Sequence, residues 1–218
     1  MHDVSNLQVF VDVICPWCYV GKRRMEKALA MLGPTRPIRA SWHPFELNPD
    51  MPKQGIERRL YRMRKFGSWE RSLRLDAELT QVGAQDGIAF RYDLIVRTPN
   101  TFNAHRLIWL ARTAHGGQEA VVEALFRAYF IEGRDIGESG VLADIASHAG
   151  MTRSQAAGFL DSEEGAREVT EEEQAARMAG VSGVPAFFLD GAPLMVGAQP
   201  AQAIASTLRG VLNLASGE

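Results

Sequence analysis

Cysteine is scarce in this chain, and so is net charge. Among 218 residues only Cys15 and Cys18 carry thiols, and they stand three positions apart. A disulfide framework of the kind that staples small secreted domains is therefore excluded. A tetrahedral zinc site needs four ligands, often a second cysteine pair or closely spaced histidines. There is no second pair, and His43, His105, His115 and His148 are scattered, so no metal site is expected. The formal charge of -2 offers no basic field for nucleic acid or an anionic membrane. Long apolar runs are missing as well. The stretch Leu7 to Ile14 is too short to span a membrane, and the polar residues before it bring no basic segment of the secretory type. The expected location is cytoplasmic, where an isolated cysteine pair points to catalysis or metal binding rather than to scaffolding. No repeat and no low-complexity segment occurs.

What the chain has is a chemical position. The run Leu7-Gln8-Val9-Phe10-Val11-Asp12-Val13-Ile14 is rich in β-branched residues and reads as a buried strand. Cys15-Pro16-Trp17-Cys18 follows, and then Val20, Met25, Ala28, Leu29 and Leu32 repeat at helical spacing. Both thiols thus fall where a strand hands over to a helix N-terminus, with Pro16 suited to the first turn. Unpaired backbone N–H groups and the helix dipole favour an anion at Cys15. Cys15 is the expected attacking thiolate. Cys18, one turn further in and less exposed, is the expected resolving thiol. Pro16 and Trp17 bring no charge, which leads to an expected redox potential between those of strongly reducing and strongly oxidising dithiols. Trp17 is either plain surface cover or a shield and substrate contact.

The rest of the chain divides in three. Gly33 to Pro37 is a turn-rich break, and Ile38 to Phe45 alternates as a second strand, which favours a parallel βαβ unit. From about residue 53 the period becomes helical for over a hundred residues, with a proline-started helix after Thr98, an extended piece at Gly87 to Asp93 and a Thr152-x-x-Gln155 capping box. Pro185 to Leu189, the turn Asp190-Gly191 and Pro193 to Val196 then read as a hairpin, before a C-terminal amphipathic helix. The expected fold is α/β and thioredoxin-like, with a large all-helical insertion between βαβ and ββα halves. Residues 1–50 and 181–218 would form the thioredoxin-like domain, and 51–180 the insert. With 46% hydrophobic residues the chain can fill one full-sized core.

Four segments carry a family resemblance: Asp12 to Lys22 around the cysteines, Trp42-His43-Pro44-Phe45-Glu46-Leu47-Asn48-Pro49, Asn100 to Leu107, and Gly180 to Phe187. Together they resemble the DsbA family of thioredoxin-fold oxidoreductases, in its FrnE-like branch, related to 2-hydroxychromene-2-carboxylate isomerases and kappa-class glutathione transferases. The resemblance implies that Pro185 is the cis-proline facing the disulfide and that the backbone of Val184 meets an extended substrate. It also implies that Val9 stands where many relatives keep a buried acid, so that this relay is lost. Asp12 is then a cap or solvated strand end, or else a candidate cleft-lining residue that helps through water. His105, by the same family pattern, is a candidate cleft-lining residue or a hydrogen-bonded core histidine, and His43 has the same two readings. The basic run Arg58 to Lys65 and the acidic run Glu163 to Glu173 read as solvated helix faces.

The implied function is thiol–disulfide exchange on protein or small-molecule thiols and disulfides, with no tightly bound cofactor and glutathione left open as a redox partner. Two other functions compete with it. One is a glutathione-dependent isomerase or transferase, against which Cys15 and the amide at Gly197-Ala198-Gln199 both argue. The other is a peptide-binding or chaperone-like module.

Overall fold

The computed structural model describes residues 4–33, 37–115 and 117–214. The first three residues, the middle of the expected turn at Gly33 to Pro37 and the expected helix end at Gly116 lie outside them. The first strand, β1 (Ser5–Val11), buries Leu7, Val9 and Val11 at the two-residue period of a strand. It leads into α1 (Pro16–Leu32), with Cys15 as N-cap in an extended conformation, Pro16 in the first turn and Gly33 closing the helix at φ 71°. The next strand, β2 (Ile38–Pro44), then lies parallel to β1, pairing Val9 with Trp42.

The middle of the chain holds β3 (Ile56–Glu57), α2 (Arg58–Phe66), α3 (Trp69–Gln85), β4 (Arg97–Thr98), α4 (Phe102–Leu110), α5 (Gln118–Phe130), α6 (Ser139–Ala146), α7 (Arg153–Asp161) and α8 (Ala166–Met178). It is therefore not all helical, since β3 and β4 form a two-residue antiparallel ladder. That ladder takes Thr98, so α4 starts only at Phe102, after Thr101. The piece expected to be extended at Gly87 to Asp93 is irregular and ends in a short 3-10 turn, Tyr92–Leu94. The capping box forms at Thr152 and Gln155.

The chain returns to the sheet through β5 (Ala186–Leu189) and β6 (Ala192–Val196), joined by Asp190 and Gly191, both at positive φ. The strand order is β2-β1-β5-β6, with α9 (Ala201–Leu214) packed beside α1. This is a thioredoxin-like α/β fold.

Three contacts tie α5 to β2 and to α1, and none depends on apolar burial alone. Gln118 accepts from the Trp42 backbone N–H at 2.9 Å and donates to its carbonyl at 2.7 Å, so one side chain completes the free edge of β2. Lys22, 2% exposed, reaches Glu26, Glu119 and Glu123, the last at 3.0 Å. Tyr19 stacks on Phe126 with centroids 4.9 Å apart and donates to Glu123 at 3.0 Å. The core is accordingly continuous from β1 through α1 to α4 and α5.

Gly21 sits inside α1, where glycine costs about 1 kcal/mol relative to alanine. Its reason is contact: a Cβ there would stand 2.8 Å from Cγ of Pro185, a rigid ring. We expect Gly21→Ala to lose about 1–3 kcal/mol through overpacking, more than the helix propensity it gains. Its midpoint in chemical denaturation falls below that of the wild type. An equal or higher midpoint would show that the Pro185 loop yields without cost.

Candidate active site

The turn between β1 and α1 is held by backbone bonds. The Asp12 carbonyl accepts from the Cys15 N–H at 2.9 Å, and the Cys15 carbonyl accepts from Cys18 at 3.0 Å. Cys15 makes no side-chain cap bond, so its sulfur is not spent on the helix's own N–H groups. It lies 3.8 Å from the carbonyl of Val184, and the Val184–Pro185 peptide bond is cis. Pro185 is held in turn by its carbonyl, which accepts from the Gly197 N–H at 2.7 Å.

The two thiols differ. Cys15 retains 5% exposure and lines a cavity of about 240 Å³, with Pro16 and Trp17 at the same wall. It is less open than a helix-end thiolate was expected to be, since the inserted helices roof it. Cys18 is fully buried. Burial pushes its thiol well above the ordinary value, and the neighbouring Cys15 adds to this. Trp17, by contrast, is 43% exposed at the rim.

Asp12 overturns the solvated-end reading. It is fully buried, and while Oδ1 accepts from Ile14 N–H at 3.3 Å in the manner of a cap, Oδ2 accepts from Leu47 N–H at 2.8 Å. The expectation failed because the chain leaving β2 folds back over the end of β1. Val9 is buried among apolar neighbours. His105 neither lines the cavity nor makes a core hydrogen bond among the described residues. It is 1% exposed, with Nε2 3.7 Å from Asp12 Oδ1, an ion-pair distance too long for a hydrogen bond. Burial works against its imidazolium, but the Asp12 carboxylate, with Glu46 and Glu173 beyond it, raises its pKa overall. Sequence reasoning passed over Glu46 and Glu173 as members of this cluster, although Glu46 lies inside the matched segment Trp42 to Pro49 and Glu173 ends the acidic run.

His43 lies on the outer face of β2, away from the thiols. Its Nε2 is 3.0 Å from Ser41 Oγ, and its Nδ1 is 3.2 Å from Arg112 and 3.1 Å from Glu172. Neither charged run is simply solvated. Arg58 is buried against Asp76 at 2.7 Å, Arg62 reaches the same carboxylate at 2.6 Å, and Glu173 is buried while Glu172 pairs with Arg112. The Gln199 amide is engaged by the Val196 carbonyl at 3.0 Å. Among the described residues no cluster of His, Cys, Asp or Glu could hold a metal ion, and no helix is long and apolar enough to cross a membrane.

Glu46 supplies a pH test of the buried cluster. Burial first, then Glu173 and Asp12, push its carboxyl up from 4.5 to about 7, against the opposing pull of His105. The folded state then keeps a proton that the unfolded chain releases, so stability falls as pH rises from 4.5 to about 7 and stays reduced above it. Glu46→Gln removes that loss. Relative to wild type, we expect the variant to gain about 2 kcal/mol more at pH 8 than at pH 5 in urea unfolding. A gain equal at both values would mean that Glu46 is ionised throughout.

Comparison with known proteins agrees with this architecture. The DSBA-like thioredoxin domain family matches residues 6–209. The chain is 31% identical to a probable DsbA oxidoreductase from Streptomyces coelicolor, with a TM-score of 0.87 over 96% of this chain and 90% of that one. The cytosolic disulfide reductase DsbM from Pseudomonas aeruginosa shares the fold at 19% identity and a TM-score of 0.67, over 96% of this chain and 99% of that one, and its structure is also known with GSH. The uncharacterized protein YwbO from Bacillus subtilis is 25% identical over 146 residues, which is 67% of this chain and 66% of that protein, a little under two thirds of the relative's length. With the family matched along nearly its whole length, from β1 to within α9, the chain belongs to the DSBA-like thioredoxin domain family.

Proposed function

We propose that the protein is a thiol–disulfide oxidoreductase in which Cys15 attacks and Cys18 resolves. The observation that carries this reading is the asymmetry of the pair: Cys15 opens onto a cavity at a helix N-terminus, and Cys18 is sealed directly behind it. The Cys15 thiolate attacks one sulfur of a substrate disulfide, forms a mixed disulfide, and releases the other sulfur as a thiolate. The Cys18 thiolate then attacks Cys15 Sγ and releases the second substrate thiol, leaving Cys15 and Cys18 oxidised and the substrate reduced by two electrons. Burial is the main cause of the raised Cys18 pKa, and conversion of Cys15 to a mixed disulfide removes only the smaller contribution of the neighbouring sulfur.

Pro16 and Trp17 border the reacting sulfur, and Val184 sets its carbonyl against it. Both support a role in orienting the substrate sulfur for in-line attack. In a cytoplasmic setting the net direction is substrate reduction, with glutathione or a similar thiol as recycling partner rather than a resident cofactor. DsbM has been captured with GSH. A glutathione-dependent isomerase is less well supported here, because Cys15 would trap the cofactor thiol and the Gln199 amide is already engaged by the protein.

Reduction of insulin disulfides tests the assignment. Cys15→Ser loses activity by about 10²-fold or more, while Cys18→Ser accumulates a mixed disulfide with its substrate on non-reducing gels. Retained activity in Cys15→Ser would sink the reading. Brief iodoacetamide treatment of the reduced protein at pH 7 should modify Cys15 about tenfold or more ahead of Cys18, as read by peptide mass spectrometry. Equal labelling would contradict the burial asymmetry.

A further inference from the structure

The cavity at Cys15 has a chemical bias of its own. Its walls are aromatic: Tyr61, Phe66, Tyr92, Tyr129 and Phe130 face it together with the rim residue Trp17. Arg58, Arg62 and Lys65, at the spacing of one face of α2, line it too, and no carboxylate lines it among the described residues. Asp76, just outside, is shared by Arg58 and Arg62. Three cations against one carboxylate leave about two positive charges beside a partly enclosed, weakly solvated space, where they act more strongly than on an open surface.

We infer that this cavity selects a low-molecular-weight disulfide whose sulfur is attached to an aromatic carboxylate. The inference rests on Cys15 being the attacking thiol. A volume of about 240 Å³ falls below the range of drug-sized pockets and holds one ring, with the rest of a disulfide substrate left outside. The ring lies between the aromatic walls, its carboxylate meets Arg62 and Lys65, and its sulfur is at Cys15. A thiol whose only charge is an ammonium finds no acid among the lining residues and two excess positive charges. The step balances without an added reagent: Cys15 S⁻ and Ar–S–S–Ar give Cys15–S–S–Ar and ArS⁻, and Cys18 S⁻ then displaces the second ArS⁻ to leave the Cys15–Cys18 disulfide.

Stopped-flow oxidation of the reduced protein by two aryl disulfides tests this. One is the anionic 5,5'-dithiobis(2-nitrobenzoate), the other the uncharged 4,4'-dithiodipyridine, and the readout is the ratio of their rates. Arg62→Gln is expected to lower the anionic-to-neutral ratio about tenfold. Arg62 also bonds Ser72 at 2.7 Å, so its removal disturbs α3, and Lys65→Glu serves as the second variant, since Lys65 is exposed and bonds Tyr61. It lowers the ratio at least as far. An unchanged ratio in both variants, with wild-type Cys15 still reacting, overturns the cavity assignment alone. If the wild-type protein reacts with neither disulfide, the thiol reading fails, and this inference fails with it.

Discussion

One carboxylate fastens the parts on which the reactive turn depends. Asp12 accepts from Ile14 in the loop before α1 and from Leu47 in the segment leaving β2, while its own backbone carbonyl receives the Cys15 N–H. The end of β1, the exit from β2 and the N-cap of α1 are thereby tied to a single buried residue. A carboxylate is excluded from an apolar interior unless its lone pairs are met. Here they are met by backbone amides, with the His105 ring at ion-pair distance. The position of Cys15 relative to Val184 follows from that knot on one side and from the Gly21–Pro185 contact on the other.

The outline of this arrangement is legible in the sequence because it rests on local rules. Period-two burial in β1, proline in the first turn of α1, glycine after its last turn and Asp190-Gly191 between two apolar runs each specify their element without reference to the rest of the chain. The family is legible for a different reason: its matching segments are spread from Asp12 to Phe187, which local propensity alone would not produce. The buried charges are not legible. Asp12, Lys22, Arg58, Glu46 and Glu173 are charged residue types that composition assigns to surfaces, yet all five are buried, and distant segments meet Asp12, Lys22 and Arg58 through their side chains and Glu46 through its backbone N–H. Sequence spacing contains no term for a partner 18 residues away, as for Arg58 and Asp76, still less 127 away, as for Glu46 and Glu173.

This distinction separates the two halves of the site. The thioredoxin-like core fixes the sulfur, its helix end and the facing proline, and it would do so for any substrate. The inserted helices supply nearly everything else around the reacting atom, since Arg58 to Phe66 come from α2, Leu75 and Leu79 from α3, and Tyr129 and Phe130 from α5. They are not loosely appended. Tyr19, directly after Cys18, and Lys22, one turn further on, bond to α5, so the roof of the cavity and the cysteine helix pack as one unit.

That coupling bears on how chemistry and selectivity are divided. A sulfur nucleophile needs an electropositive setting, and the helix end provides it through the backbone, independent of side-chain identity. The side chains near Cys15 are therefore free to be chosen for the substrate. Neither Pro16 nor Trp17 adds charge, and the cations that line the cavity are all carried by α2 rather than by the cysteine helix. On the proposed reading this divides the work: a cation bonded to the thiolate would lower its basicity and with it its nucleophilicity, whereas cations on a separate helix serve an anionic substrate and leave the sulfur to the helix end.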